Sequence, residues 1–141
     1  MPDKREHYEY LFGRLTEAIK ADFYLEAAWL AHAVIEDRIN SALRESSTHR
    51  TGKLFGNIKN LKKAKSTDSN LRGAFFDDLL ERIDIWRKKR NKLTHALADE
   101  VKPISDLMDE YQELATTGEK LAREVASAVM RLKKRKAKSG T

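Results

Sequence analysis

Residues 22–44 read DFYLEAAWLAHAVIEDRINSALR. Phe23, Ala27, Leu30, Val34 and Ile35 recur at three- and four-residue steps along one side of a helix. Leu25, Ala28, Trp29, His32, Ile35 and Ile39 line another side. A helix apolar over so much of its circumference must sit centrally in a helical core, or use its second face against another subunit.

The flanking sequence supplies the other helices. Upstream, the spacing predicts a helix over residues 3–20, with Tyr8, Leu11, Phe12, Leu15, Ala18 and Ile19 on one face and Asp3 as its cap. Downstream, the polar run from Ser46 to Gly52 reads as a loop, followed by a short basic helix over residues 53–65. Ser66 to Asn70 interrupt the pattern and offer N-cap residues. Residues 71–97 then form one helix with its stripe at Phe75, Leu79, Ile83, Trp86, Leu93 and Leu97. Pro103 suits the first turn of a last helix carrying Ile104, Leu107, Met108, Tyr111, Leu114, Leu121, Val125, Val129 and Leu132, with Gly118 expected to loosen or bend it. Glycine and proline are sparse, and no alternating Val/Ile/Thr run suggests a strand.

The fold class expected is all-α: an up-and-down bundle of four main helices plus one short helix. It fills residues 1–132, and residues 133–141 form a basic, disordered tail. At 141 residues the chain is one domain and can bury a core without a staple. It has no cysteine, which excludes zinc ribbons, redox pairs and thiol nucleophiles and suits a reducing compartment. The N-terminus opens with charges and leads into no apolar signal core, and residues 23–35 are too short and polar to cross a bilayer. A cytoplasmic location without membrane contact is expected. The net charge of +6 is uneven, with cations gathered in residues 50–65, 86–92 and 131–138, a distribution that favours polyanionic partners.

One polar residue stands where periodicity calls for an apolar one. Four residues beyond Trp86 comes Arg90, and three further comes Leu93. An inward arginine needs a carboxylate partner, an edge position or an anionic ligand. Asp84, Lys88, Asn91 and His95 follow one another along the neighbouring face. His95 lies about 140° around the helix from Arg90, so only the length of Arg90 or a second subunit brings the two together. Read structurally, Arg90 snorkels to solvent and His95 is a histidine favoured by the helix C-terminus.

The segment from Arg90 to His95, with Asn91 directly after the arginine and an apolar helix before it, resembles the Arg-x4-His motif of the HEPN domain family. The run from Asp22 to Trp29 and on to Glu36 also resembles the family's long second helix. The resemblance spans roughly residues 8–130; the short basic helix at 53–65 and the cationic tail map onto nothing in it.

The resemblance implies a helical bundle that cleaves RNA without metal or other cofactor, often as a toxin or defence effector. Attack by a ribose 2′-OH would leave a 2′,3′-cyclic phosphate and a 5′-hydroxyl. Arg90 would stabilise charge on the phosphate, His95 would transfer protons and Asn91 would hold the phosphate or orient His95. Glu36 is a supporting candidate, and Arg87, Lys88 and Lys92 are candidate nucleic-acid contacts. One histidine per chain implies a homodimer with a composite active site, and an antitoxin or other regulatory protein is a further expected partner.

Two further readings rest on other residues. A catalytically inactive bundle that binds RNA or protein would use Lys53, Lys59, Lys62, Lys63 and Lys65. His32 and Glu36, one turn apart, could hold a cation, but no further ligand pair accompanies them. The loops produce no helix-turn-helix, which disfavours sequence-specific DNA reading. No glycine-rich phosphate loop or serine-centred elbow occurs.

Overall fold

A computed structural model of the chain describes residues 4–99 and 102–139. Six helices fill them: α1 (Lys4–Lys20), α2 (Tyr24–Glu45), α3 (Leu54–Lys65), α4 (Ser69–Ala74), α5 (Leu79–Asp99) and α6 (Ile104–Lys138). Among the described residues there is no strand, and no helix is long and apolar enough to cross a membrane. The Asp3 cap and residues 140–141 of the expected tail lie outside the described residues.

The wide apolar arc of α2 puts it at the centre. Its most extensive contact is with α6, and α1 lies against its other side. Ala27, Ala31, Val34 and Ile35 of α2 are buried, as are Leu121, Ala122, Val125 and Val129 of α6. Small side chains on both helices let their backbones approach closely. Gly118 belongs to the same contact. α6 is continuous through it over 35 residues, and the missing side chain makes room. A Cβ there would stand 2.9 Å from the Ala31 Cβ and 2.7 Å from Cζ2 of Trp86.

Two elements differ from the sequence expectation. The single helix expected over residues 71–97 is divided into α4 and α5. Asp68 caps α4 by accepting from the Leu71 N–H at 3.0 Å. The helix stops at Phe75, and Asp77 takes a left-handed φ of 55°, a conformation that aspartate tolerates. The Ala74 carbonyl, which a continuing helix would give to residue 78, instead accepts from Arg131 Nε at 3.0 Å. Periodicity conceals this break because Leu71, Phe75, Leu79 and Ile83 stay four residues apart and are all buried. Pro103 is also one place earlier than expected, as the N-cap of α6.

The second difference lies at the C-terminus. α6 runs to Lys138, so residues 133–138, expected as a disordered tail, are helical. Their charges meet backbone oxygens: Arg135 Nη2 donates to Ser69 O at 3.4 Å, and Lys136 Nζ donates to Glu45 O at the end of α2. Glu45 ends α2, and a cation at the carbonyl end of a helix is favoured by the aligned peptide dipoles.

Candidate active site

Trp86 is the last large side chain of α5 to lie wholly in the core, at 2% exposure. Its indole Nε1 donates to the Leu114 carbonyl of α6 at 2.8 Å, which satisfies the one polar atom of the ring. Beyond it α5 leaves the core. Arg90 and Leu93 are half-buried, while Asn91, Lys92, Thr94 and His95 are exposed.

Arg90 is therefore inward, as its place in the stripe predicts, but at the edge of the core. Burial holds its guanidinium below the ordinary value, against the opposing pull of Tyr111 on α6 and Glu36 on α2. Among the described residues it makes no ion pair within 4.0 Å; its one side-chain hydrogen bond runs from Nη1 to Asn91 Oδ1 at 3.4 Å. Thr94 Oγ1 donates to the Arg90 carbonyl at 3.0 Å and ties down the same turn.

Two groups beside Arg90 come from other helices. His32 stacks on Trp86 with ring centroids 6.4 Å apart, and its Nδ1 lies 3.9 Å from Glu36 Oε2. Burial pushes the His32 pKa down to about 4, and Arg90 and Arg87 add in the same direction, so the ring is neutral at pH 7. Tyr111 is only 4% exposed, yet no described residue hydrogen-bonds its hydroxyl. Among the described residues, no three metal-ligating side chains converge, at His32 and Glu36 or elsewhere.

The other residues singled out in the sequence are distributed unevenly. Glu36 lies within electrostatic reach of Arg90, with no ion pair within 4.0 Å between them. Arg87 is bonded to Asp84 at 2.9 Å and lies over the Phe55 ring at 5.0 Å, which ties it to α3. Lys88 is 3.5 Å from the same Asp84, whose carboxyl those partners hold low against the effect of burial. Lys92 lines a groove of about 370 Å³ between α5 and α6, together with Lys89 and Leu93. His95 is exposed, and no hydrogen bond or ion pair joins it to Arg90, Asn91 or Glu36. Within one chain Arg90 bonds Asn91 and is reached by the charge of Glu36, and no hydrogen bond or ion pair among the described residues joins His95 to them.

Tyr111 and His32 are the neighbours of Arg90 that spacing along α5 could not supply. In sequence, Tyr111 is one more member of the α6 apolar stripe, and its hydroxyl is the only signal that its end differs from Leu107 or Leu114. The chain matches no protein-family model, no curated protein and no solved structure.

Proposed function

We propose that this chain is a metal-independent endoribonuclease of the HEPN type, acting as a two-fold dimer. The observation that carries the reading is Arg90: a half-buried guanidinium with no carboxylate ion pair among the described residues, at the point where α5 leaves the core beside Asn91. A cation held so has its desolvation cost partly met and its planar fork uncommitted, which suits a phosphodiester oxygen.

In the reaction, a ribose 2′-OH attacks the adjacent phosphorus and the 5′-oxygen leaves. His95 removes the 2′-proton, and a second imidazole protonates the departing oxygen. Arg90 stabilises the charge that grows on the phosphoryl oxygens, and Asn91 fixes their position. The products are a 2′,3′-cyclic phosphate and a 5′-hydroxyl.

His95 lies about 140° around α5 from Arg90, so the catalytic set is completed across a dimer axis that unites two α5 ends. Leu25 and Trp29, 41% and 64% exposed and one turn apart on α2, offer apolar surface for that contact. Lys89 and Lys92, on the α5 side of a groove whose α6 side carries Glu110 and Glu113, would hold the RNA strand along α5. A toxin or defence role held in check by a regulatory protein belongs to the same reading.

The test is RNA cleavage in EDTA, with end-group analysis, for wild type, Arg90→Ala and His95→Ala, together with light scattering at micromolar concentration. Cleavage by wild type alone and a dimer mass support the reading. Equal cleavage by the variants, or a sharp monomer mass in an active preparation, rejects it. Binding without cleavage would favour the second reading, an inactive RNA-binding bundle that uses the exposed lysines Lys53, Lys59 and Lys63.

A further inference from the structure

The three helices that meet at Arg90 each contribute a polar group with uncommitted hydrogen-bonding capacity. Tyr111 of α6 is only 4% exposed and one turn before Leu114, whose carbonyl Trp86 binds one turn before Arg90 on α5; its hydroxyl has no hydrogen-bond partner among the described residues. His32 of α2 shows 20% of its side chain, and the 3.9 Å approach to Glu36 is too long for a hydrogen bond. Arg90 of α5 spends one weak bond on Asn91.

Buried polar groups are ordinarily satisfied, and each exception calls for an explanation. No fully enclosed side-chain nitrogen or oxygen among the described residues lacks a partner, so the Tyr111 hydroxyl keeps a sliver of access from outside. A donor that is nearly buried, reachable and idle, beside a guanidinium without an ion pair, has the chemistry of half an anion-binding site.

We propose that Tyr111 donates to the same phosphodiester oxygen cluster that Arg90 binds, forming a subsite at the junction of α2, α5 and α6. This rests on reading Arg90 as a phosphate-binding residue, but on neither cleavage nor His95. The neutral His32 ring, held by Trp86, can donate one N–H to the same anion. Glu36, with 48% of its side chain exposed, is the competing carboxylate: its charge reaches Arg90 and opposes an arriving anion. The residues thus predict opposite effects for two conservative changes. Tyr111→Phe removes a donor to a charged group, and Glu36→Gln removes a competitor.

The probes are a 2′-O-methyl oligoribonucleotide, which cannot be cleaved through its 2′-position, and inorganic phosphate. Binding of both is measured for wild type, Tyr111→Phe and Glu36→Gln, with Arg90 Nε–H followed by NMR. Tyr111→Phe should bind the oligonucleotide about tenfold more weakly, the usual effect of losing one hydrogen bond to a charged partner. Glu36→Gln should bind it several-fold more tightly, and phosphate alone should shift the Arg90 signal less in Tyr111→Phe than in wild type. Because the hydroxyl has no partner in the free protein, Tyr111→Phe should unfold at the wild-type temperature without ligand. Wild-type affinity in Tyr111→Phe, or no binding of either probe by wild type, overturns the subsite. If Arg90→Ala abolishes cleavage while Tyr111→Phe binds and cleaves normally, the subsite fails and the ribonuclease reading survives. If nothing cleaves but Tyr111→Phe still loses affinity, the reverse holds.

Discussion

The indole N–H of Trp86 reaches the Leu114 carbonyl at 2.8 Å, and the absence of a side chain at Gly118, one turn further along α6, leaves the space its ring occupies. This contact fixes the separation and rotation of α5 against α6, and with them the point at which Arg90 emerges.

Gly118→Ala should therefore destabilise the fold although alanine is the better helix former. The new methyl would sit 2.7 Å from Trp86 Cζ2 and 2.9 Å from the Ala31 Cβ, and neither neighbour is the loose end of a flexible chain. Overpacking of this kind costs about 1–3 kcal/mol, more than the helix propensity gained. A lowered urea midpoint with an unchanged slope checks it.

His95 and Arg90 should respond differently to substitution. His95 is exposed and makes no side-chain hydrogen bond or ion pair among the described residues, so His95→Ala should hold stability within about 0.5 kcal/mol while cleavage falls roughly a hundred- to ten-thousand-fold. Arg90→Lys keeps the charge but loses the planar fork, and cleavage should drop at least about tenfold. Single-turnover rates with matched thermal melts separate the two effects.

The four long helices and the central place of α2 were legible because apolar residues at three- and four-residue steps report burial directly. The division at Phe75 to Asp78 was not, since it preserves the phase of the stripe and depends on Arg131 arriving from 57 residues away to take the Ala74 carbonyl. Arg90 betrayed its edge position by interrupting that stripe. Tyr111 and His32 could not be assigned to it, because their approach depends on how three helices rotate against one another. The helical state of residues 133–138 was equally hidden: composition records the charges of Arg135 and Lys136 but not the oxygens that receive them.

His32 makes stability depend on pH. Its folded pKa of about 4 lies below the ordinary 6.5, so the unfolded chain binds the proton more readily. The contribution is complete above pH 6.5 and is lost as pH falls towards 4. Allowing for its remaining solvent contact, about 1–2 kcal/mol should disappear across that window. Denaturation midpoints at pH 7 and pH 5 should differ more for wild type than for His32→Gln.

Asn57 is 2% exposed and holds the chain entering α3. Its Oδ1 accepts from the Thr51 backbone N–H at 2.7 Å and from Thr51 Oγ1 at 3.0 Å, and its Nδ2 donates to Asn40 Oδ1 at 3.3 Å. Asn57→Leu should cost about 1–3 kcal/mol by stranding those groups. Faster amide exchange at Thr51 would show it locally.

The docking of the last turns of α6 bears on ionic strength. Arg131, Arg135 and Lys136 are turned onto carbonyls of α4 and α2, so reaching a phosphate and releasing its condensed cations would mean breaking those bonds. The salt slope of RNA binding, about 0.7 per phosphate neutralised on a single strand, should then owe little to these three. Neutralising these three cations would leave that slope nearly as steep while loosening the seam between the end of α6 and the ends of α2 and α4.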